Sequence, residues 1–316
     1  MQFRTKIPIE KEENLIDYDS NIILLGSCFS ENISEKLHYS KLHYLRNPLG
    51  ILFHPKAIEN SLNRAIHKLP FTSDSIFYHN ERWHSFEAHS SLSNVSKKDL
   101  LENLNKNSVV LNQQISKASH IIITLGTAWV YRLLETEKLV ANCHKIPQKK
   151  FKKDLLTVVE VTESLQTIIS LIRSVNKDIQ LIFTLSPVRH SKDGFVENAQ
   201  SKAHLLSAIH EVVKDTNISY FPAYEIVMDE LRDYRFYAED MIHPNQIAIA
   251  YIWERFCDAW LSEVALKTMK SVHSIQKGLA HRPFHPKSTQ HQKFMENISS
   301  QIKNLQKQFP RVFFEK

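Results

Sequence analysis

The sequence predicts a doubly wound α/β domain around a central parallel sheet, followed by a helical C-terminal extension. Three observations carry this prediction. Four short runs are apolar almost throughout, as parallel strands buried on both faces are. Segments with apolar residues at three- and four-residue spacing lie between them, the mark of helices with one buried face. The two kinds alternate along the chain, which is the pattern of a parallel sheet with helices on both sides.

In chain order, the first strand is Ile22–Gly26 and the second is Ile121–Gly126. Each ends in one of only five glycines in 316 residues, against an average usage of about 7%, so each glycine is expected where the backbone needs it. The third and fourth strands are Gln180–Leu185 and Ile218–Phe221. Helices are expected over Lys56–Lys68, Lys97–Ala118, Thr157–Val175, Ser201–Asp215 and Pro244–Leu261, the last opened by a proline just inside its start. Phe71–Asn94, rich in His, Ser and aromatics, reads as an insertion or long surface loop within a wider insertion at about 55–118. After Leu261 one helix is expected to run to about Lys277, broken at Gly278 and by Pro283 and Pro286. A second runs from about Ser288 to Gln308. Its Phe294, Met295, Ile298, Ile302 and Leu305 share one face, so it packs on something. The division expected is an α/β domain over 1–264 and a basic helical extension over 265–316.

Composition bounds the function. Hydrophobic residues at 42% and charged residues at 23% are ordinary globular values, so a sizeable core is expected. No run of 18 apolar residues occurs, and the opening Met1–Lys6 leads into no signal-peptide stretch. Three cysteines, Cys28, Cys143 and Cys257, make no disulfide framework in a chain this long. A cytoplasmic, enzyme-sized protein is the expectation. The net charge of +6 is unevenly placed: residues 265–316 hold 10 Lys+Arg against 2 Asp+Glu, and the rest hold 30 against 32. The tail is read as a solvated helical appendage able to contact an acidic partner or surface. It carries no RNA-binding signature, so a nucleic-acid partner is not expected. No P-loop, GxGxxG or HExxH is present, and no cofactor or metal is expected.

In open α/β sheets the site lies outside the carboxyl ends of the strands. Four segments follow the strands: Gly26-Ser27-Cys28, Gly126-Thr127-Ala128-Trp129, Ser186-Pro187-Val188-Arg189-His190, and Asp240-Met241-Ile242-His243-Pro244. An Asp three residues before a His lets the carboxylate orient the imidazole as a general base. A thiol or hydroxyl at the end of the first strand would complete a nucleophile–base–orienter set. Taken alone, Asp240 reads equally as a helix cap and His243 as a satisfied polar residue. Cys28, at a helix N-terminus, is placed to have its thiol activated. Ser27 is the competing nucleophile if the turn is shifted by one residue. Arg189 and His190 suit an anion clamp, though Arg189 reads equally as half of a structural ion pair.

These residues carry a resemblance. Gly26-Ser27-Cys28-Phe29-Ser30 resembles the motif for which the GSCFA domain family is named, with Ser30 at its final alanine. Asn47-Pro48-Leu49-Gly50-Ile51, Gly126-Thr127-Ala128-Trp129, Asn142-Cys143-His144-Lys145, Ser186–His190, Ser201-Lys202-Ala203 and Leu231 through Pro244 resemble further clusters of that family in order. The likeness covers about residues 20–260. The family is similar to the SGNH/GDSL hydrolases, which include esterases, lipases and carbohydrate deacetylases. The resemblance therefore implies a three-layer α/β/α, flavodoxin-like fold and ester-bond hydrolysis or acyl transfer on a carbohydrate or lipid. It also implies Cys28 at the usual serine nucleophile, Ser27 at the usual aspartate, Asp240 and His243 as an intact DxxH, and Gly50 as an oxyanion donor. The asparagine of the GxND block is replaced by Ala128, and one lost donor costs about 10²–10³ in rate; Asn47 and Asn142 are the candidates to replace it. Gly126, Trp129, His144, Arg189 and His190 complete the expected oxyanion- and substrate-binding set. The partner expected is a small-molecule or glycan acyl ester. The alternative is a degenerate hydrolase scaffold that binds a glycan or acyl ligand without turnover.

Overall fold

The computed structural model describes residues 4–214 and 217–314. Met1–Phe3 and Asp215, where one predicted helix ends, lie outside them. In chain order the elements are β1 Ile22–Gly26, α1 Cys28–Tyr39, β2 Tyr44–Arg46, α2 Pro55–Ile66, β3 Phe77–His79, β4 Arg82–His84, α3 Lys97–Ile115, β5 His120–Leu125, β6 Trp129–Leu133, β7 Leu139–Val140 and β8 Phe151–Leu155. They continue with α4 Val158–Val175, β9 Gln180–Leu185, α5 Phe195–Val212, β10 Ile218–Phe221, α6 Ala223–Glu225 running into a π-turn, α7 Gln246–Trp260, α8 Glu263–Ala280 and α9 Thr289–Gln308.

Five strands form one parallel sheet in the order β10-β9-β5-β1-β2. Read from the other edge, the parallel strands run second, first, third, fourth, fifth, which is the flavodoxin-like order. The period of two along each strand splits the core into two layers. Ile22, Leu24, Ile122, Ile182 and Phe221 pack with α1, α7 and α8 on one face. Ile23, Leu25, Ile121, Ile123, Leu181 and Phe183 pack with α2, α3, α4 and α5 on the other. The architecture is a three-layer α/β/α sandwich. No helix among the described residues is long and apolar enough to cross a membrane.

The four predicted strands stand where the sequence places them, and the differences lie elsewhere. β2 is a three-residue, half-exposed edge strand, too short to show a pattern. Phe71–Asn94 is not a bare loop: β3 and β4 pair as a hairpin over a small core of Leu49, Phe71, Ile76, Ala88, Leu100 and Leu104. Its turn residues Asn80 and Glu81 both have positive φ, 46° and 60°, so a primed turn forms with glutamate where glycine is usual. β6, β7 and β8 make a second, antiparallel sheet whose polar Phe151-Lys152-Lys153-Asp154-Leu155 strand does not read as β-type. α5 begins at Phe195, six residues before the predicted start; the exposed Phe195 and Val196 break the apolar phase that marks a helix in the sequence.

Gly278 does not break α8, which continues to Ala280. It is instead where α9 crosses closest: a Cβ on Gly278 would lie 2.5 Å from Ile298 Cδ1. The tail helices then join the main core through Val272, Ile275, Ile298 and Leu305, with Val312 beyond them. Arg311 donates to the Asp19 carbonyl and to Asn21 Oδ1, and Ile16 bridges Leu261, so both ends of the described chain meet on this face. Gly278→Leu is expected to cost about 1–3 kcal/mol through overpacking and to speed amide exchange in α9, measured by hydrogen–deuterium exchange. Unchanged exchange there would show that α9 does not depend on this crossing.

Candidate active site

The strand order reverses between β1 and β5, and the crevice at their carboxyl ends is where a doubly wound sheet opens a binding site. Gly26 makes the turn out of β1. Its φ is +126°, and a Cβ there would lie 2.0 Å from the Thr124 carbonyl oxygen, so only glycine fits. Asn47 Oδ1 accepts the Gly26 N–H at 2.9 Å. The chain enters α1 at once. Ser27, fully buried, is the N-cap and accepts the Phe29 N–H at 3.4 Å. Cys28 is the first helical residue and lines a cavity of about 570 Å³, whereas Ser27 does not reach it.

Burial pushes the Cys28 thiol above its usual range, and three groups work against that: the Lys202 ammonium and the first two amides of α1. Lys202 is itself buried. Its Nζ donates to the Gly126 carbonyl at 2.8 Å and the Ser186 carbonyl at 2.6 Å, tying together the segments that follow β5 and β9. Burial lowers its pKa to about 7, with Cys28 acting in the opposite sense. Cys143 lines the same cavity, but burial raises its thiol to about 11, which leaves it the poorer nucleophile.

His243 comes from the loop before α7 and lines the cavity. Its Nδ1 donates to Asp240 Oδ2 at 2.6 Å, while Asp240 Oδ1 accepts the N–H groups of Ile242 and His243 at 2.9 Å each. These bonds, led by the His243 amide, hold the Asp240 carboxyl down at about 2. The loop closes because Met241 takes a left-handed φ of 55° and Ala238 N–H reaches the His243 carbonyl at 2.7 Å. Asn245, not Asp240, caps α7. The aspartate is thus committed to the imidazole, whose Nδ1 it holds.

The remaining candidates divide. Cys28, His243, Trp129, Asn142, Arg189 and His190 line one cavity. Gly126 does not line the cavity but packs behind it: a Cβ there would be 3.2 Å from His190 Nε2 and 3.3 Å from Ser27 Cβ. Asn47 and Gly50 lie behind the turn rather than on the wall. The Asn47 amide donates to Ser30 Oγ at 3.4 Å, and the Gly50 N–H is taken by the Asn47 carbonyl at 2.7 Å. His144 turns away into the hairpin, its Nε2 donating to the Ser85 carbonyl at 2.7 Å. Ala128 is buried in the helix-layer core and its amide bonds Ser201 Oγ at 2.7 Å, so the residue at the missing-asparagine position does not face the cavity. Among the described residues no group of three His, Cys, Asp or Glu is placed to hold a metal ion.

The sequence pattern of the GSCFA family matches residues 21–256, and that of the GSCFA domain protein C-terminal domain matches residues 272–316. The chain belongs to the GSCFA family. No curated protein matches it. Among solved structures it is similar to a carbohydrate esterase family 3 from Talaromyces cellulolyticus, at 8% identity and a TM-score of 0.37, covering 81% of this chain and 99% of that one. It is also similar to an acetyl esterase mutant with acetate ion, at 9% identity and a TM-score of 0.36, covering 81% and 99%. Likenesses this remote carry no weight for the site.

In this GSCFA chain the sequence reading missed several cavity residues: Phe53, His54, Thr127, Tyr131 and Lys192, and the buried Lys202 beside them. Lys202 left a legible signal. It falls in the stripe Asn198, Ser201, Lys202, Leu205, Ala208, Ile209 that α5 buries, and a lysine inside such a stripe needs a partner. His54 left none, since its cavity position depends on α2, which it caps by accepting the Ala57 N–H at 3.1 Å.

Proposed function

We propose that this GSCFA chain is an acyl-ester hydrolase that works through Cys28, His243 and Asp240. The observation that carries the reading is a nucleophile candidate and a carboxylate-oriented imidazole facing one cavity at the switch point of the sheet. The Cys28 sulfur attacks the acyl carbonyl as His243 Nε2 takes the thiol proton. The tetrahedral intermediate collapses, the C–O bond to the alcohol breaks, and His243 returns the proton to the leaving oxygen. A water molecule, deprotonated by His243, then attacks the thioester; the acid departs and Cys28 is restored. The oxyanion would meet the Cys28 amide at the start of α1, with His190 Nε2–H and the Asn142 amide as further donors. Burial and the nearby Lys202 and His243 charges hold His190 down to about 4, so it serves as a neutral donor. The acyl group would rest on the Phe53, Val140 and Val188 wall, with the Trp129 and Tyr131 rings facing a carbohydrate or lipid alcohol.

One observation favours a second reading, a scaffold that binds an acyl or glycan ligand without turnover. The Gly50 and Asn47 donors expected at the oxyanion are spent within the turn. Hydrolysis of p-nitrophenyl acetate decides between the two. Wild type is expected to turn over well above background, and Cys28→Ala is expected to fall to background. Ser27→Ala should keep most of the rate while losing about 1 kcal/mol of stability with its helix cap. Wild type at background would leave the scaffold; loss of rate in Ser27→Ala at retained fold would return the nucleophile to Ser27.

A further inference from the structure

The charges around the cavity do not cancel. Arg189 and Lys192 stand on its wall with one carboxylate, Asp193. That carboxylate is already paired, with Lys153 Nζ 2.6 Å from its Oδ1. Asp240, the carboxylate of the neighbouring loop, is bound by His243 at 2.6 Å. Among the described residues neither Arg189 nor Lys192 has a carboxylate within ion-pair distance. Arg189 is also not free to wander. Its guanidinium rests on the Tyr237 ring, 5.0 Å from the centroid, and its Nη2 meets only the Met228 sulfur at 3.9 Å. A half-buried guanidinium held on an aromatic face, with a weak thioether acceptor as its neighbour, keeps its planar fork of donors for something that enters the cavity.

We propose that the substrate of this site carries an anionic group, a carboxylate or a phosphate, which Arg189 grips with two N–H donors while Lys192 adds charge at the rim. The choice of an ester whose alcohol or acyl part bears that anion rests on the hydrolase reading above. The cation wall itself does not, because its effect on any anion near Cys28 is independent of turnover.

Alkylation of Cys28 measures that effect directly. Iodoacetate and iodoacetamide react with the same thiolate and differ in one negative charge. Their rates at the Cys28 peptide of the full chain would be followed by mass spectrometry, with the uncharged N-acetylcysteinamide as the reference. The iodoacetate-to-iodoacetamide ratio is expected to exceed the reference by about ten-fold at low ionic strength and to fall as salt is raised. Arg189→Gln should lower the ratio several-fold toward the reference, Lys192 and the buried Lys202 supplying what remains, and Arg189→Lys should retain most of it. Inorganic phosphate and acetate, each added against iodoacetamide, then show by relative protection of Cys28 which anion the wall prefers. A ratio equal to the reference, a ratio unchanged in a folded Arg189→Gln protein, or a Cys28 that reacts with neither reagent would overturn the proposal. An anion preference with no ester turnover would instead leave it standing and remove the hydrolase reading.

Discussion

Replacing His243 with alanine is expected to slow p-nitrophenyl acetate hydrolysis by about 10²–10⁴-fold, the range that a positioned acid–base group supplies. The Cys28 thiol is held above its usual range by burial, so little thiolate exists at neutral pH without a base to take the proton. In the proposed reaction the same imidazole protonates the leaving alcohol and activates the water, so three proton transfers fail together. Asp240→Asn should cost a comparable factor. Its two backbone hydrogen bonds from Ile242 and His243 can survive in the amide, but the acceptor that fixes Nδ1–H is lost or reversed. Both residues are about half exposed, so neither change should shift the melting temperature much, and the rate loss would be read at unchanged fold. A His243→Ala protein as fast as wild type would remove the imidazole from the chemistry.

The second large effect is on stability. Burial lowers His54, His144 and His190 to about 4 each, while in the unfolded chain each takes its proton near 6.5. Between those values the unfolded state binds more protons than the native one, so the contribution of these three histidines to stability falls as pH drops from 6.5 toward 4, and they add no further loss below. For His54 alone the shift amounts to about 3 kcal/mol. His144 and His190 add in the same direction, which is a large share of the 5–15 kcal/mol that holds a typical domain together. Urea unfolding at pH 7 and pH 4.5 should show the loss. His54→Asn keeps an acceptor for the Ala57 amide at the start of α2 and cannot take up the proton. It is expected to flatten the pH dependence by roughly its third. A His54→Asn protein as acid-sensitive as wild type would assign the loss to other groups.

What could be read from the sequence follows from which signals are local. Four of the five parallel strands were legible because their runs are apolar, and a run such as Gln180–Leu185 needs no context. The Asp240 and His243 pairing was legible as one of two readings, because the spacing within one loop allows it, and the other reading, Asp240 as a helix cap, falls to Asn245. The oxyanion side was not. Whether the Gly50 amide faces the crevice or the Asn47 carbonyl depends on a turn whose geometry rests on Gly26 and on the packing of His89 against Gly50, contacts that join segments far apart. Likewise His144 is expected in the substrate-binding set, yet its ring follows the β3–β4 hairpin into contact with His84 and Phe77. Lys202 stood in plain view in a buried stripe, and its role appears only when the Gly126 and Ser186 carbonyls arrive beside it from two other strands.

The crossing of α8 and α9 against the sheet has a consequence for how the chain is made. The apolar face shared by α1 and α7 takes in Ile16 near one end and Val312 near the other. Contacts separated by nearly the whole sequence close last, since the entropy of bringing them together must be met before they repay it. While the polypeptide emerges from the ribosome, the α2–α5 face can assemble as its strands arrive. The part of the opposite face that Ile298, Leu305 and Val312 cover stays open to water until α9 has followed the strands. Over that interval it offers a ready surface for premature association, so expression yield should respond to chaperone supply and to synthesis rate more than its ordinary composition suggests.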